Sequence, residues 1–273
     1  MTTTRLLAHT VEKPWGRTDI PSHIAPADGG RIGEVWFSPP KGTGAEQSPP
    51  LLVKYIFTSE KLSVQVHPND AQARRQGLAG GKSECWYILD AEPDARLGIG
   101  LMRDLTPEAL RAAALDGSIE GLMDWKPVTA GSFYYIPAGT VHAIGGGVTL
   151  VEVQQNNDVT YRLYDYGRPR ELHLEEAMAV SVAAPYTMPD RVVPITAEEG
   201  LVTGPGTPFV LDMVQAAPGT GLEAKGEMLW FVPLAGSGTI DGTPWQQGEC
   251  WLIEEGAAIT AQAHMSALLA RLP

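Results

Sequence analysis

The stretch GSFYYIPAGTVHAIG, Gly131 to Gly145, decides the fold. A glycine opens a run rich in aromatic residues, Pro137 and Gly139 turn the chain, and His142 starts a second short apolar run. Proline presets its own φ and glycine tolerates positive φ, so Pro-x-Gly makes a tight turn and sends the histidine into the interior. The pattern is written twice. GECWLIEEGAAI begins at Gly248 and places Ile259 eleven residues on, as Gly131 places His142. Gly256 matches Gly139 in the same register, and EMLWFVPL (227–234) resembles ECWYILD (84–90). Internal similarity of this kind predicts two stacked β-barrel units, the second with an isoleucine where the first has a histidine.

Working outward, LSVQVHPND (Leu62–Asp70) alternates Leu62, Val64 and Val66 with Ser63, Gln65 and His67, the period of a strand with two unlike faces. One face is aliphatic; the other carries a hydroxyl, an amide and an imidazole. Glu84 in GKSECWYILD, His142, and Arg162 in NNDVTYRLYDY supply what that polar face needs to become a metal site. Two histidines, a glutamate and an amide offer mixed nitrogen and oxygen donors, suited to zinc and acceptable to manganese, iron or cobalt.

Composition sets the limits. The chain has 273 residues, enough for one large or two moderate domains. Its 30 glycines and 22 prolines, with short strands and recurring turn signals, favour a β-rich fold. A formal charge of −12 argues against nucleic acid or an anionic membrane as partner. No apolar run reaches the length of a membrane span, MTTTRLLAHT has no hydrophobic leader, and Cys85 and Cys250 make no disulfide framework. A reduced cytoplasmic protein, monomeric or weakly self-associating, is expected.

In chain order, strands are expected at Gly33–Phe37, Leu51–Phe57, Leu62–His67, Glu84–Leu89, Gly131–Ile136, Val141–Ile144, Val148–Gln154 and Thr160–Asp165. A short helix over AQARRQ is capped by Asn69 or Asp70 and ended by Gly77. A second runs from Pro107 to Asp116 with Thr106 as N-cap, and a third covers Leu174–Val180. Residues 183–208 hold five prolines and read as a connector.

The spacing G-x5-P-x-G-x2-H at 131–142 fits the second cupin motif through its histidine. The first cupin motif supplies two histidines and a glutamate; here Gln65 and His67 stand for the pair, and Glu84 follows an inserted helix and loop. S-x-Q-x-H-P, G-K-[ST]-E-x-W, P-A-G-T-V-H-A-I and E-x-x-x-x-N-D-x-x-x-R together resemble the type I phosphomannose isomerases, most closely their shorter bacterial members, over about residues 10–180. The resemblance implies a mainly β fold of two cupin (jelly-roll-like β-barrel) units with a few short helices. Residues 1–185 would form the metal-binding catalytic unit, and 186–273 a connector and degenerate second unit.

The resemblance further implies one zinc ion on Gln65, His67, Glu84 and His142, and Arg162 as the active-site arginine. Ser63 and Lys82 match residues that line the family's pocket, and Glu152 and Asp158 its acidic positions. The implied reaction interconverts mannose 6-phosphate and fructose 6-phosphate by moving a proton between C1 and C2 through a cis-enediol. Lys82, Glu152 or a water on the metal are the candidate bases. Arg74, Arg75, Lys82, Arg162, Arg168 and Arg170 lie near the site strands in sequence and are candidates for a basic rim that admits an anionic sugar phosphate. The alternatives are another cupin enzyme, such as a dioxygenase or epimerase, and a sugar-binding or regulatory cupin without turnover.

Overall fold

The computed structural model describes residues 3–24, 30–42, 48–224 and 228–273. The chain folds as two compact units, one of residues 13–17 and 55–192, the other of residues 1–12, 18–54 and 193–273. The boundary expected at 185/186 therefore shifts, because the N-terminal segment joins the C-terminal one. Strand Thr3–Arg5 pairs antiparallel with Trp251–Ile253 and completes that sheet's edge.

In the 55–192 unit, five antiparallel strands lie in the order Tyr161–Tyr164, Val64–Val66, His142–Ile144, Arg96–Leu101, Met123–Pro127. A second layer places Arg191–Val192, Ser132–Ile136, Glu84–Ala91 and Val148–Gln155 side by side. Residues of both layers form one buried cluster: Leu97, Ile99 and Ile144 from the first, Trp86, Ile88, Tyr134, Ile136 and Leu150 from the second. Alternation sends Val64, Val66 and Ala143 to the opposite side, where they cluster with Leu110, Ala113, Ala114, Ala177 and Val180 of two helices. Val64 and Val66 of LSVQVHPND thus face helices, while Leu62, before the strand, joins the cluster between the layers.

The helices form where local signals place them. Asp70–Arg75 is capped by Asn69, whose side chain accepts from the Gln72 N–H while Gln72 reaches back to the Asn69 N–H, a full capping box. Pro107–Asp116 begins at Thr106, with proline in its first turn, and ends at Gly117 with φ +81°. Leu174–Val180 falls on its expected bounds. Among the described residues, no helix is long and apolar enough to cross a membrane.

Several expectations needed revision. The site strand is only Val64–Val66, cut short before Pro68. Strands Leu7–Arg17, Arg96–Leu101 and Met123–Pro127 carried no clear alternating signal. The 183–208 connector contains two short strands, Arg191–Val192 and Glu199–Val202.

The internal repeat is visible in the pairing. In one unit Glu84 pairs with Ile136, five residues after Gly131; in the other Leu229 pairs with Ile253, five residues after Gly248. Gly131 and Gly248 share the same left-handed φ of +87°. By this register Leu229 stands where Glu84 stands, and Ile259, buried in an apolar cluster, stands where His142 stands. The second copy carries aliphatic residues at both positions.

Replacing Thr106 by alanine removes the hydroxyl that accepts the Ala109 N–H. Denaturant unfolding of this variant is expected to show a loss of about 1 kcal/mol; an unchanged midpoint would mean that the cap contributes nothing.

Candidate metal centre

Three chain segments meet at one buried point. His67 follows the short strand Val64–Val66, Glu84 opens Glu84–Ala91, and His142 opens His142–Ile144. Ligand atoms of the three residues lie within 4.8 Å of one another, and each residue is about 1% exposed. Their segments are tied together by backbone bonds. The Gly139 N–H, in the Pro-x-Gly turn with φ +90°, donates to the His67 carbonyl at 2.8 Å, and the Ala138 N–H donates to the Ser83 hydroxyl at 3.1 Å. The turn seen in the sequence is therefore the piece that locks His142 against the other two.

Hydrogen bonds fix which nitrogen each ring presents. His67 Nδ1 lies 2.9 Å from the Val159 carbonyl and His142 Nδ1 lies 2.8 Å from the Thr140 carbonyl. A carbonyl only accepts, so both Nδ1 atoms carry the proton and both Nε2 atoms present a lone pair. His67 Nε2 lies 3.5 Å from Glu84 Oε2, and His142 Nε2 lies 3.3 Å from Glu84 Oε1. Burial pushes the His142 pKa from 6.5 to about 4, so this ring is neutral at neutral pH.

Lys82 Nζ, 3.2 Å from both His67 Nε2 and Glu84 Oε2, offers a positive charge on one side of this cluster. The other side is different: buried His142 Nε2 has no hydrogen-bond partner and looks at a carboxylate oxygen. Two acceptors brought together out of water repel unless a cation lies between them. The donor set and this orphaned lone pair fit a divalent metal. The Nδ1–H bonds to backbone carbonyls are the outer contacts that orient histidine ligands.

Gln65 is the cross-strand partner of both His142 and Arg162, so the three form one row on the inward face. Strand spacing puts the Arg162 backbone about 10 Å from that of His142, two steps of about 4.8 Å. The Arg162 side chain is anchored by donation from its Nη1 to the Glu171 carbonyl at 2.6 Å, while its buried Nε has no hydrogen-bond partner. Among the described residues it forms no ion pair, with Asp158, Asp165 or any other acid. Ser63 is buried just before the site strand. Glu152 is buried and accepts from Trp86 Nε1 at 3.0 Å.

The expected basic rim does not hold in full. Arg170 grips buried Asp165 with two bonds of 2.6 Å, and Arg168 pairs with Asp165 at 3.3 Å and Glu60 at 3.2 Å. Both arginines neutralise local acids, which the sequence could not show without the burial of Asp165. Arg74 and Arg75 are exposed in the last turn of Asp70–Arg75. Trp86, quoted in the sequence only as part of G-K-[ST]-E-x-W and given no role at the metal site, has its ring edge-on to His142, with centroids 5.4 Å apart. Its position two residues after Glu84, on the same strand face, was the available signal. Cys85 points to the other face, where burial raises its thiol pKa, and takes no part in the site.

Fold and site together define a cupin-type β protein with a buried His-Glu-His cluster whose donor set fits a divalent metal. No protein-family model matches the chain. In sequence it is 45% identical over 138 residues to the mannose-6-phosphate isomerase ManA of Bacillus subtilis, covering 48% of this chain and 44% of that protein. It is 42% identical over 137 residues to a mannose-6-phosphate isomerase of Streptococcus mutans, covering 48% and 43%. The chain thus spans about half the length of the curated relatives it matches. In structure it matches the mannose 6-phosphate isomerase from Bacillus subtilis over 100% of both chains, with a TM-score of 0.81 at 25% identity. It shares its fold with a zinc-bound mannose 6-phosphate isomerase, also over 100% of both chains, with a TM-score of 0.70 at 14% identity. The chain is thus similar to mannose-6-phosphate isomerases in sequence over about half its length, and to one of their solved structures in fold over all of it.

Metal analysis of the purified protein is expected to return about one equivalent of divalent metal per chain, and His142→Ala to remove it. A stoichiometry near two, or full retention in the variant, would contradict a single centre with an aliphatic second copy.

Proposed function

We propose that the protein is a zinc-dependent mannose-6-phosphate isomerase. The observation that carries this reading is the convergence of His67, Glu84 and His142 with Lys82, on a face that also holds the Gln65–Arg162 row. A pure metal store has no use for a buried ammonium and an arginine with an unspent donor. The likeness to isomerases in sequence and fold, one of them zinc-bound, supports the same reading.

His67, Glu84 and His142 would hold the zinc, with the Gln65 amide as a fourth ligand from the next strand. When bound, the ion supplies Lewis-acid stabilisation for negative charge on the sugar oxygens. The chain's own residues supply the rest. Isomerisation removes the proton from C2 of the aldose and returns it at C1, so negative charge develops on the O1–C1–C2–O2 unit. Arg162 keeps its charge at working pH and presents a planar fork of donors to those oxygens. Lys82, Glu152 or a water on the metal would exchange protons with the substrate. Trp86 fixes the Glu152 carboxylate by its 3.0 Å hydrogen bond and shields the inner side of His142. Ser63, buried just before the site strand, would add a hydroxyl beside the substrate.

A coupled assay on zinc-reconstituted protein should show conversion of mannose 6-phosphate to fructose 6-phosphate, stopped by chelator and restored by zinc. Absence of turnover with retained sugar-phosphate binding would instead make the protein a binding module.

Arg162→Ala is expected to lower kcat by about 10²–10³-fold, the usual cost of one positioned donor. Zinc content should stay unchanged, and Arg162→Lys should recover only part of the rate. A variant that melts lower but turns over at the wild-type rate would assign Arg162 to strand packing.

A further inference from the structure

Lys82 lies on a loop, not on a strand, yet its ammonium is held in the centre of the site. The cause lies in three consecutive backbone N–H groups. Gly81 donates to Asp70 Oδ1 at 2.7 Å, Lys82 to the Pro68 carbonyl at 2.9 Å, and Ser83 to Gln155 Oε1 at 2.9 Å. The two side-chain acceptors are joined: Gln155 Nε2 donates to the same Asp70 oxygen at 3.0 Å. Gln155 in turn ends the strand that pairs with Glu84–Ala91, and its own N–H donates to the Ser83 carbonyl at 3.1 Å. Asn157, two residues on, donates from its side chain to the Gly80 carbonyl.

The loop also comes too close to the helix start for any side chain at position 81. A Cβ there would lie 2.5 Å from the backbone of both Asn69 and Asp70. The glycine before Lys82 is therefore required by the closeness of this contact. The Asn69–Gln72 capping box keeps Asp70 in place at the first turn of its helix.

We propose that Asp70 and Gln155 form a clamp that positions Lys82, fixing the backbone on both sides of it so that its ammonium reaches Glu84 and His67. Both are positioning residues, since they touch the loop and not the reacting atoms. The proposal rests on the isomerase reading only in what Lys82 does; the clamp itself is read from the hydrogen bonds. The carboxylate is replaceable in principle, because an amide oxygen at position 70 can accept the same two bonds. Asp70→Ala leaves the Gly81 N–H and the Gln155 amide without their shared acceptor.

The test uses the full chain loaded with zinc, comparing wild type with Asp70→Ala and Asp70→Asn. In Asp70→Ala, amide hydrogen exchange at residues 81–83 should accelerate at least about tenfold, and kcat should fall by about 10–10²-fold, since displacement of about 1 Å at a reacting group costs that much. KM and zinc content should change by less than about twofold, because the metal ligands keep their own backbone ties. Asp70→Asn should return both exchange and kcat most of the way to wild type. Wild-type exchange and wild-type kcat in Asp70→Ala would overturn the clamp. So would loss of zinc and a lower Tm that Asp70→Asn fails to rescue, which would make Asp70 a general structural residue. If wild-type protein does not turn over mannose 6-phosphate, the isomerase reading fails, and exchange at 81–83 decides on the clamp alone.

Discussion

Two imidazole lone pairs and a carboxylate, buried with their ligand atoms within 4.8 Å of one another, set the terms for the rest of this unit. Such a group is costly in a protein interior, because three acceptors face each other with water removed. It persists only where surrounding structure holds it and a cation compensates it. The backbone here does the holding. His67 and His142 are each pinned by Nδ1–H to a carbonyl, and the Pro137–Gly139 turn is bonded on one side to His67 and on the other to Ser83, next to Glu84. Displacing any of the three segments disturbs the other two.

The second unit shows what the same framework becomes without that demand. With Leu229 in the place of Glu84 and Ile259 in the place of His142, the interior closes as an apolar cluster with Phe231, Trp245 and Met265. The polar tips in that cluster find partners at its edge: Trp245 Nε1 donates to the Thr260 carbonyl at 3.2 Å and Trp251 Nε1 to Glu249 at 2.8 Å. The repeat keeps the opening glycine turn and the strand pairing, which build the barrel, and replaces the polar residues at the positions of Glu84 and His142 by aliphatic ones.

The legible parts of this chain were those governed by local chemistry. The helix at Pro107–Asp116 was readable because its cap, its proline and its closing glycine all lie within twelve residues. Val64–Val66 was readable as a two-faced strand because alternation reports facing directly; grouping His67, Glu84 and His142 drew on the motif resemblance as well, and the fold does bring the three together. Strands such as Arg96–Leu101 (RLGIGL) and Met123–Pro127 (MDWKP) escaped, since glycines and mixed polarity mask their period and their pairing comes from distant partners. The fate of Arg168 and Arg170 was hidden for a similar reason: nothing in YDYGRPR announces that Asp165 is 2% exposed and needs both of them. Asp70 and Gln155, 85 residues apart, could be joined only by the fold.

The central claim is that both histidines and Glu84 bind one cation through the Nε2 atoms and the carboxylate. X-ray absorption at the zinc edge of the zinc-loaded protein tests it most directly. A first shell of light atoms only, with the multiple-scattering pattern of two imidazoles, is expected. A sulfur neighbour at about 2.3 Å, or a shell of oxygen without imidazole scattering, would contradict it.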